Sequence, residues 1–215
     1  MVNFDKLYEK LADKQFQDTE NTDFFYNYFV VQYSVSEEKE VERTLDQFKE
    51  ALSRPTNYID VLSLDIFEEF CHFLDNRPFF KHDSYLEYLL EKDKSMPDAV
   101  TKSLVNMANN DEFYEYINNR ILEHISKTGD NMCRPYVFFY GIGRIYPYLR
   151  TNVLLTAYEK FNRVNKYKVI LFYPGTQVGN SFSLFDKLED SHTYRATILL
   201  NNPTNNWYYV TERII

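Results

Sequence analysis

The sequence predicts an α/β fold, a mostly parallel sheet flanked by helices. Three observations carry that prediction. Short β-branched and aromatic runs recur at 24–33, 58–64, 136–140 and 168–173. Amphipathic stretches with helical spacing separate them, the order expected when crossover helices join parallel strands. The chain of 215 residues is 44% hydrophobic and 26% charged, ordinary globular composition, and is long enough to bury a core without disulfide staples. We expect one domain over 1–215, with a helical insertion at 77–130.

The elements follow in order. Phe4, Leu7, Tyr8 and Leu11 place a helix over 2–14. F-F-Y-N-Y-F-V-V-Q-Y (24–33) reads as a central strand buried on both faces. Ser34 and Glu37 fit a capping box, and Val41, Leu45, Phe48 and Leu52 define a helix over 36–53 that Pro55 ends. Y-I-D-V-L-S-L (58–64) is the next strand, completing a parallel βαβ unit. A helix over 65–76 carries Phe67, Phe70 and Phe73, and three more are expected near 83–92, 97–109 and 111–127. Y-V-F-F-Y (136–140) is a buried strand ending at G-I-G-R-I-Y-P. Pro147 suits the first turn of a helix running to about Arg163. K-V-I-L-F-Y (168–173) is a strand that Pro174 and Gly175 should close in a turn. A short helical piece near 182–187, a strand over 194–200 and an edge strand at 207–210 complete the pattern.

Composition narrows the function classes. No run approaches the roughly 20 apolar residues of a membrane span. The N-terminus has no hydrophobic signal core, and two distant cysteines read as reduced thiols, so a cytoplasmic protein is expected. Residues 1–130 carry 14 basic and 27 acidic side chains, net −13, whereas 131–215 carry 10 and 5, net +5. Such asymmetry suits attraction between the halves or two differently charged partner surfaces. The overall charge of −8 disfavours strong non-specific DNA binding and leaves a local basic patch open.

Ligands of open parallel sheets sit beyond the carboxyl ends of strands. Those loops hold Asp65, G-I-G-R-I-Y-P and P-G-T-Q-V-G-N. Neither glycine loop has the spacing or the Lys of a phosphate-binding loop, and Tyr146 breaks the dinucleotide fingerprint. Asp65 reads as a helix N-cap before it reads as a metal carboxylate. Glu68 and Glu69 read as a solvated face. The four histidines are scattered, Cys71 and His72 point apart on a helix, and no nucleophile elbow occurs. No catalytic or metal-ligating residue is expected from these patterns.

From 136 to 198 the chain resembles a known family. V-F-F-Y-G-I-G-R-I-Y-P-Y-L-R, then V-L-L, V-I-L-F-Y-P-G, S-L-F-D-K-L and T-Y-R-A occur in the order seen in the BrxB family, small subunits of bacterial BREX phage-defence systems. The positions that match include Gly141, Gly143, Tyr146, Pro147, Leu149, Arg150, Leu154, Leu155, Phe172, Tyr173, Pro174, Gly175, Leu184, Phe185, Tyr194 and Arg195. Two positions after the arginine the family commonly has His. Here Asn152 stands instead, which argues against a catalytic base there. The resemblance implies a degenerate nucleotide-binding-like core without a phosphate-binding loop, no cofactor and no enzymatic activity. It further implies an adaptor that pairs with PglZ, the alkaline-phosphatase-like subunit of the same system, and bridges it to other BREX subunits.

The candidate partner- or ligand-facing residues are therefore Gly141, Gly143, Arg144, Tyr146, Pro147, Arg150, Tyr173, Pro174, Gly175, Tyr194 and Arg195. The arginines suit bidentate ion pairs with a partner, and equally suit ties between loops and the chain's own carboxylates. Two rivals remain at this stage. One is a nucleotide-binding sensor or hydrolase, with the loops after 140 and 173 facing each other over a phosphate. The other is a DNA-binding subunit using the basic second part.

Overall fold

The structure, a computed structural model, describes residues 2–17, 28–127, 133–158, 160–161, 167–178, 181–185, 187–190 and 197–200. Helices α1 (Phe4–Ala12) and α2 (Lys14–Gln17) precede strand β1 (Tyr28–Tyr33), which α3 (Glu38–Leu52) connects to β2 (Ile59–Asp65). Four helices follow: α4 (Ile66–Asp75), α5 (Tyr85–Asp93), α6 (Pro97–Ala108) and α7 (Asp111–Lys127). Then come β3 (Cys133–Tyr140), α8 (Ile142–Ile145), α9 (Thr151–Tyr158), β4 (Lys168–Val178), β5 (Ser181–Leu184), β6 (Leu188–Asp190) and β7 (Thr197–Leu200). The sequence segment 24–27 and the expected strand 207–210 lie outside the described residues.

The sheet runs β2-β3-β4-β1-β7, every neighbouring pair parallel. β1 and β2 are thus joined by α3 as the sequence suggests, but β4 and β3 lie between them. A parallel sheet needs cover on both faces, and alternate residues provide it. Val30, Leu64, Val137, Phe139 and Leu171 face one side, where α4, α7 and α9 pack. Phe29, Val31, Val61, Phe138 and Phe172 face the other, under α1 and α3. All six residues of β1 are buried, as a two-faced strand requires. Edge-to-face rings reinforce this second layer, with Phe138 and Phe172 centroids 5.4 Å apart and Phe16 and Phe29 4.8 Å apart. The ammonium of Lys168, also buried, lies 4.7 Å from the Phe16 ring centroid.

Several expectations need correcting. β4 does not end at Tyr173: Pro174 and Gly175 are strand residues, and from Gly175 onward β4 pairs antiparallel with β5. They therefore shape no turn. The segment expected to be helical near 182–187 is instead the β5–β6 hairpin arm. Pro147 is not inside a helix; it follows a cis Tyr146–Pro147 peptide, and α9 starts only at Thr151. Glu69 is buried rather than solvated: it takes hydrogen bonds from Tyr116 Oη at 2.9 Å and from Arg120, tying α4 to α7. No helix among the described residues is long and apolar enough to cross a membrane.

Candidate functional site at the carboxyl edge of the sheet

Strand parity brings one cluster together. Tyr33 ends β1, Asp65 ends β2 and Tyr140 ends β3, and each shares its parity with the residues facing α3. Glu38 and Glu42 lie in the first turns of α3, just after β1. Arg144 reaches this group from α8.

Asp65 is the hub. Its backbone is extended, and its side chain accepts from the amides of Phe67 at 3.1 Å and Glu68 at 3.2 Å, so it caps α4 as the sequence predicts. Its other oxygen accepts from Arg144 Nη2, and the same guanidinium lies 2.9 Å from Glu42 Oε1. Arg144 thus ties the loop after β3 to the end of β2 and to α3. Tyr33 Oη donates to Glu38 Oε2 at 2.8 Å beside this group.

The electrostatics are those of a crowded acidic edge. Burial pushes the Asp65 carboxyl up, against the lowering effect of the Glu68 amide and Arg144. Burial also raises Glu38, against its hydrogen bond from Tyr33 and the Arg144 charge. For Arg144, burial pulls the guanidinium down, but Asp65, Glu42, Glu38 and Glu68 outweigh it and hold it above the usual range. Tyr140 is pushed up to about 12, first by burial and then by Asp65 and Glu68.

Glycines set how closely the chain approaches this edge. Gly141 has φ +70°, a left-handed conformation, and a Cβ there would press on the Asp65 carboxylate, 2.9 Å from its Cγ. At Gly143 a Cβ would stand 2.7 Å from the Phe185 ring and 3.1 Å from Pro174. At Gly175 it would collide with the Ser183 carbonyl, so this glycine serves the close β4–β5 pairing. Phe185 is held by its amide bonding to the Pro174 carbonyl at 2.8 Å, and its ring meets Tyr146 edge-on. The loop after 140 therefore packs against Phe185 and against Pro174 within β4, and no loop follows 173 to face it.

The other candidates separate from this cluster. Tyr173 is buried in the core on the opposite face of the sheet. Arg150 is exposed at the entry to α9, its carbonyl accepting from Leu154 N, and its guanidinium makes no ion pair among the described residues. Pro147 is exposed. Tyr194 and Arg195 lie outside the described residues. Cys71 is half-buried, its thiol pushed up by burial, beside an exposed His72. Among the described residues no group of three metal-ligating side chains occurs.

Sequence reasoning missed Glu42, Glu38 and Tyr33, and it matched Phe185 to the family without placing it among the candidate site residues. Glu42 lies off the apolar stripe of its helix and looks like any solvated glutamate until the fold places it against Arg144.

Residues 62–199 match the family model described as BREX protein BrxB. The chain belongs to the BrxB family. A BREX protein BrxB of Bacillus cereus (strain H3081.97) is 22% identical over 197 residues, covering 92% of this chain and 95% of the relative. No solved structure matches the chain. The family match takes in Asp65, Gly141, Gly143, Arg144, Gly175 and Phe185. Glu38 and Glu42 precede it. Membership of the BrxB family places the chain among the subunits of BREX phage-defence systems.

Proposed function

We propose that the chain is a non-catalytic assembly subunit of a BREX complex, and that it binds PglZ and holds it to other BREX subunits. Family membership supplies the system. One observation supports an assembly role over nucleotide chemistry: at the sheet edge where open α/β folds take ligands, Arg144 pairs with Asp65 and Glu42, and the charges of Glu38 and Glu68 also act on it. Four carboxylates against one guanidinium repel a phosphate, and the guanidinium already spans Asp65 and Glu42. The α8 amide end is an equally poor anion site, because the helix has four residues and the Asp65 carboxylate stands at its start.

Arg150 is the proposed partner-facing cation. It is exposed and unpaired among the described residues, and Arg makes bidentate contacts with carboxylates. The test is co-purification of tagged protein with PglZ of the same operon, with Arg150→Glu alongside. Recovery of PglZ with the native chain and weaker recovery with the variant support the reading. Absence of PglZ with both proteins folded opposes it. So does a gain of about 2.7 kcal/mol in stability at a nucleotide concentration 100 times its Kd, which would restore the sensor reading.

A further inference from the structure

Between α4 and α5 the chain makes a tight turn, R-P-F-F-K-H, closed by a bridge between Phe79 and His82. Phe80 at its tip is 93% exposed and has φ +50°. A bulky residue in the left-handed region is a conformational outlier, and here the strain brings no burial in return. The turn is nevertheless firmly built. Phe79 packs edge-on to Phe80 at 4.6 Å and against Tyr85 at 4.8 Å and Tyr88 at 4.5 Å, and Tyr85 and Tyr88 stack. His82 packs on Tyr88 and lies 3.6 Å from Glu91. The ring of Phe80 is therefore displayed on a rigid aromatic base.

Its surroundings indicate the occupant. On the exposed flank beside the turn stand Asp83, just before the Ser84 N-cap of α5, and Glu87 and Glu91, four residues apart on one face of α5; Glu87 accepts from the Asp83 amide at 2.9 Å. The basic residues nearby are Lys81 beside Phe80, and Lys92 and Lys94 in and just past the last turn of α5. We propose that Phe80 is an anchor that inserts into an apolar pocket on another protein, and that basic side chains at the pocket's rim meet Asp83, Glu87 and Glu91. Rigid, preformed aromatic anchors ringed by charge are the residues that dominate interface energetics. The inference rests on the assembly reading and supplies it with a surface, far in sequence from Arg150.

The experiment places a photoreactive benzoylphenylalanine at position 80 in cells expressing the whole operon, with a control at exposed Lys127. An adduct at 80, absent from the control, with a BREX subunit and mapping to a pocket bordered by Lys or Arg supports the proposal. If that subunit is not PglZ, the anchor stands as the contact to a second BREX subunit, and the PglZ reading stands or fails separately on the co-purification with Arg150→Glu. No adduct at 80, or an adduct with a second copy of this chain, overturns the anchor. With purified partner, Phe80→Ala should weaken binding about 30-fold or more, the scale of an interface hot spot, and Glu87→Lys should weaken it with reduced salt dependence. Undiminished binding by a folded Phe80→Ala protein overturns the proposal even where PglZ binds.

Discussion

Replacing Gly141 by alanine tests the cluster at the sheet edge from its tightest point. The left-handed backbone costs an L residue roughly 1–2 kcal/mol. The new Cβ would also press on the Asp65 carboxylate, and forcing atoms into a filled site costs about 1–3 kcal/mol more. The variant should therefore lose about 2–5 kcal/mol in urea unfolding followed by circular dichroism, with an unchanged m value. At this chain length that lowers Tm by on the order of 10 °C. Asp65→Ala removes a cap worth about 1 kcal/mol and a contact to a partly exposed Arg144, for a total of about 2–3 kcal/mol. The decisive quantity is the double variant. With the Asp65 carboxylate gone, the methyl introduced by Gly141→Ala next meets Arg144 Nη2 at 3.0 Å, the far end of a long side chain that can give way, so mainly the backbone strain of roughly 1–2 kcal/mol remains, and the pair should couple by about 1–3 kcal/mol. Additivity within about 0.5 kcal/mol would show that Gly141 serves its backbone conformation alone and that the packing against Asp65 is energetically empty.

Other perturbations follow from the same structure. Gln32 is fully buried in β1, and neither polar atom of its side-chain amide has a hydrogen-bond partner among the described residues, so Gln32→Met should stabilise the protein by about 1–2 kcal/mol; a lower urea midpoint would contradict this. Tyr114, Tyr116, Tyr140 and Tyr167 are each pushed up to about 12 by burial first. Their unfolded forms ionise near about 10, so stability should be intact below that pH and fall as pH rises from there towards 12, with these four rings ionising only together with unfolding. Ionisation of any of these four before unfolding, read residue by residue from tyrosine-ring NMR signals, would refute its burial. Glu38 is also raised by burial. Its contribution is present below the ordinary glutamate range and is lost as pH rises through its elevated folded value, so Glu38→Gln should remove that loss and steepen the rise in stability from acid to neutral pH. An unchanged rise would contradict that assignment.

The sequence was legible where periodicity and caps act locally. The α3 stripe of Val41, Leu45, Phe48 and Leu52, the Ser34 amide bonding to Glu37 at 3.0 Å and the Asp65 cap all appear as read. Strand order was not legible, because which strands become neighbours depends on long-range pairing that no local pattern encodes. The end of β4 misled for a physical reason. Pro and Gly ordinarily stop a strand, but here Pro174 pairs at the end of β1, and Gly175 admits the Ser183 carbonyl of β5. F-S-L-F-D-K-L carries apolar residues at both two- and three-residue spacing, so it suits a strand or a helix, and pairing with β4 decides. Within the site, Gly141, Gly143 and Arg144 could be named from their loop. Glu42 could not, nor could the contact of Phe185 with Gly143, because both residues lie far away in sequence and meet this loop only once the chain has folded.

The central claim is assembly with PglZ, and the most direct measurement is the mass of the complex formed by the two purified proteins at low salt and at about 0.5 M, where surface attraction is heavily screened. A defined stoichiometric complex at both salts is the predicted result. Two folded proteins that remain separate at low salt would contradict it.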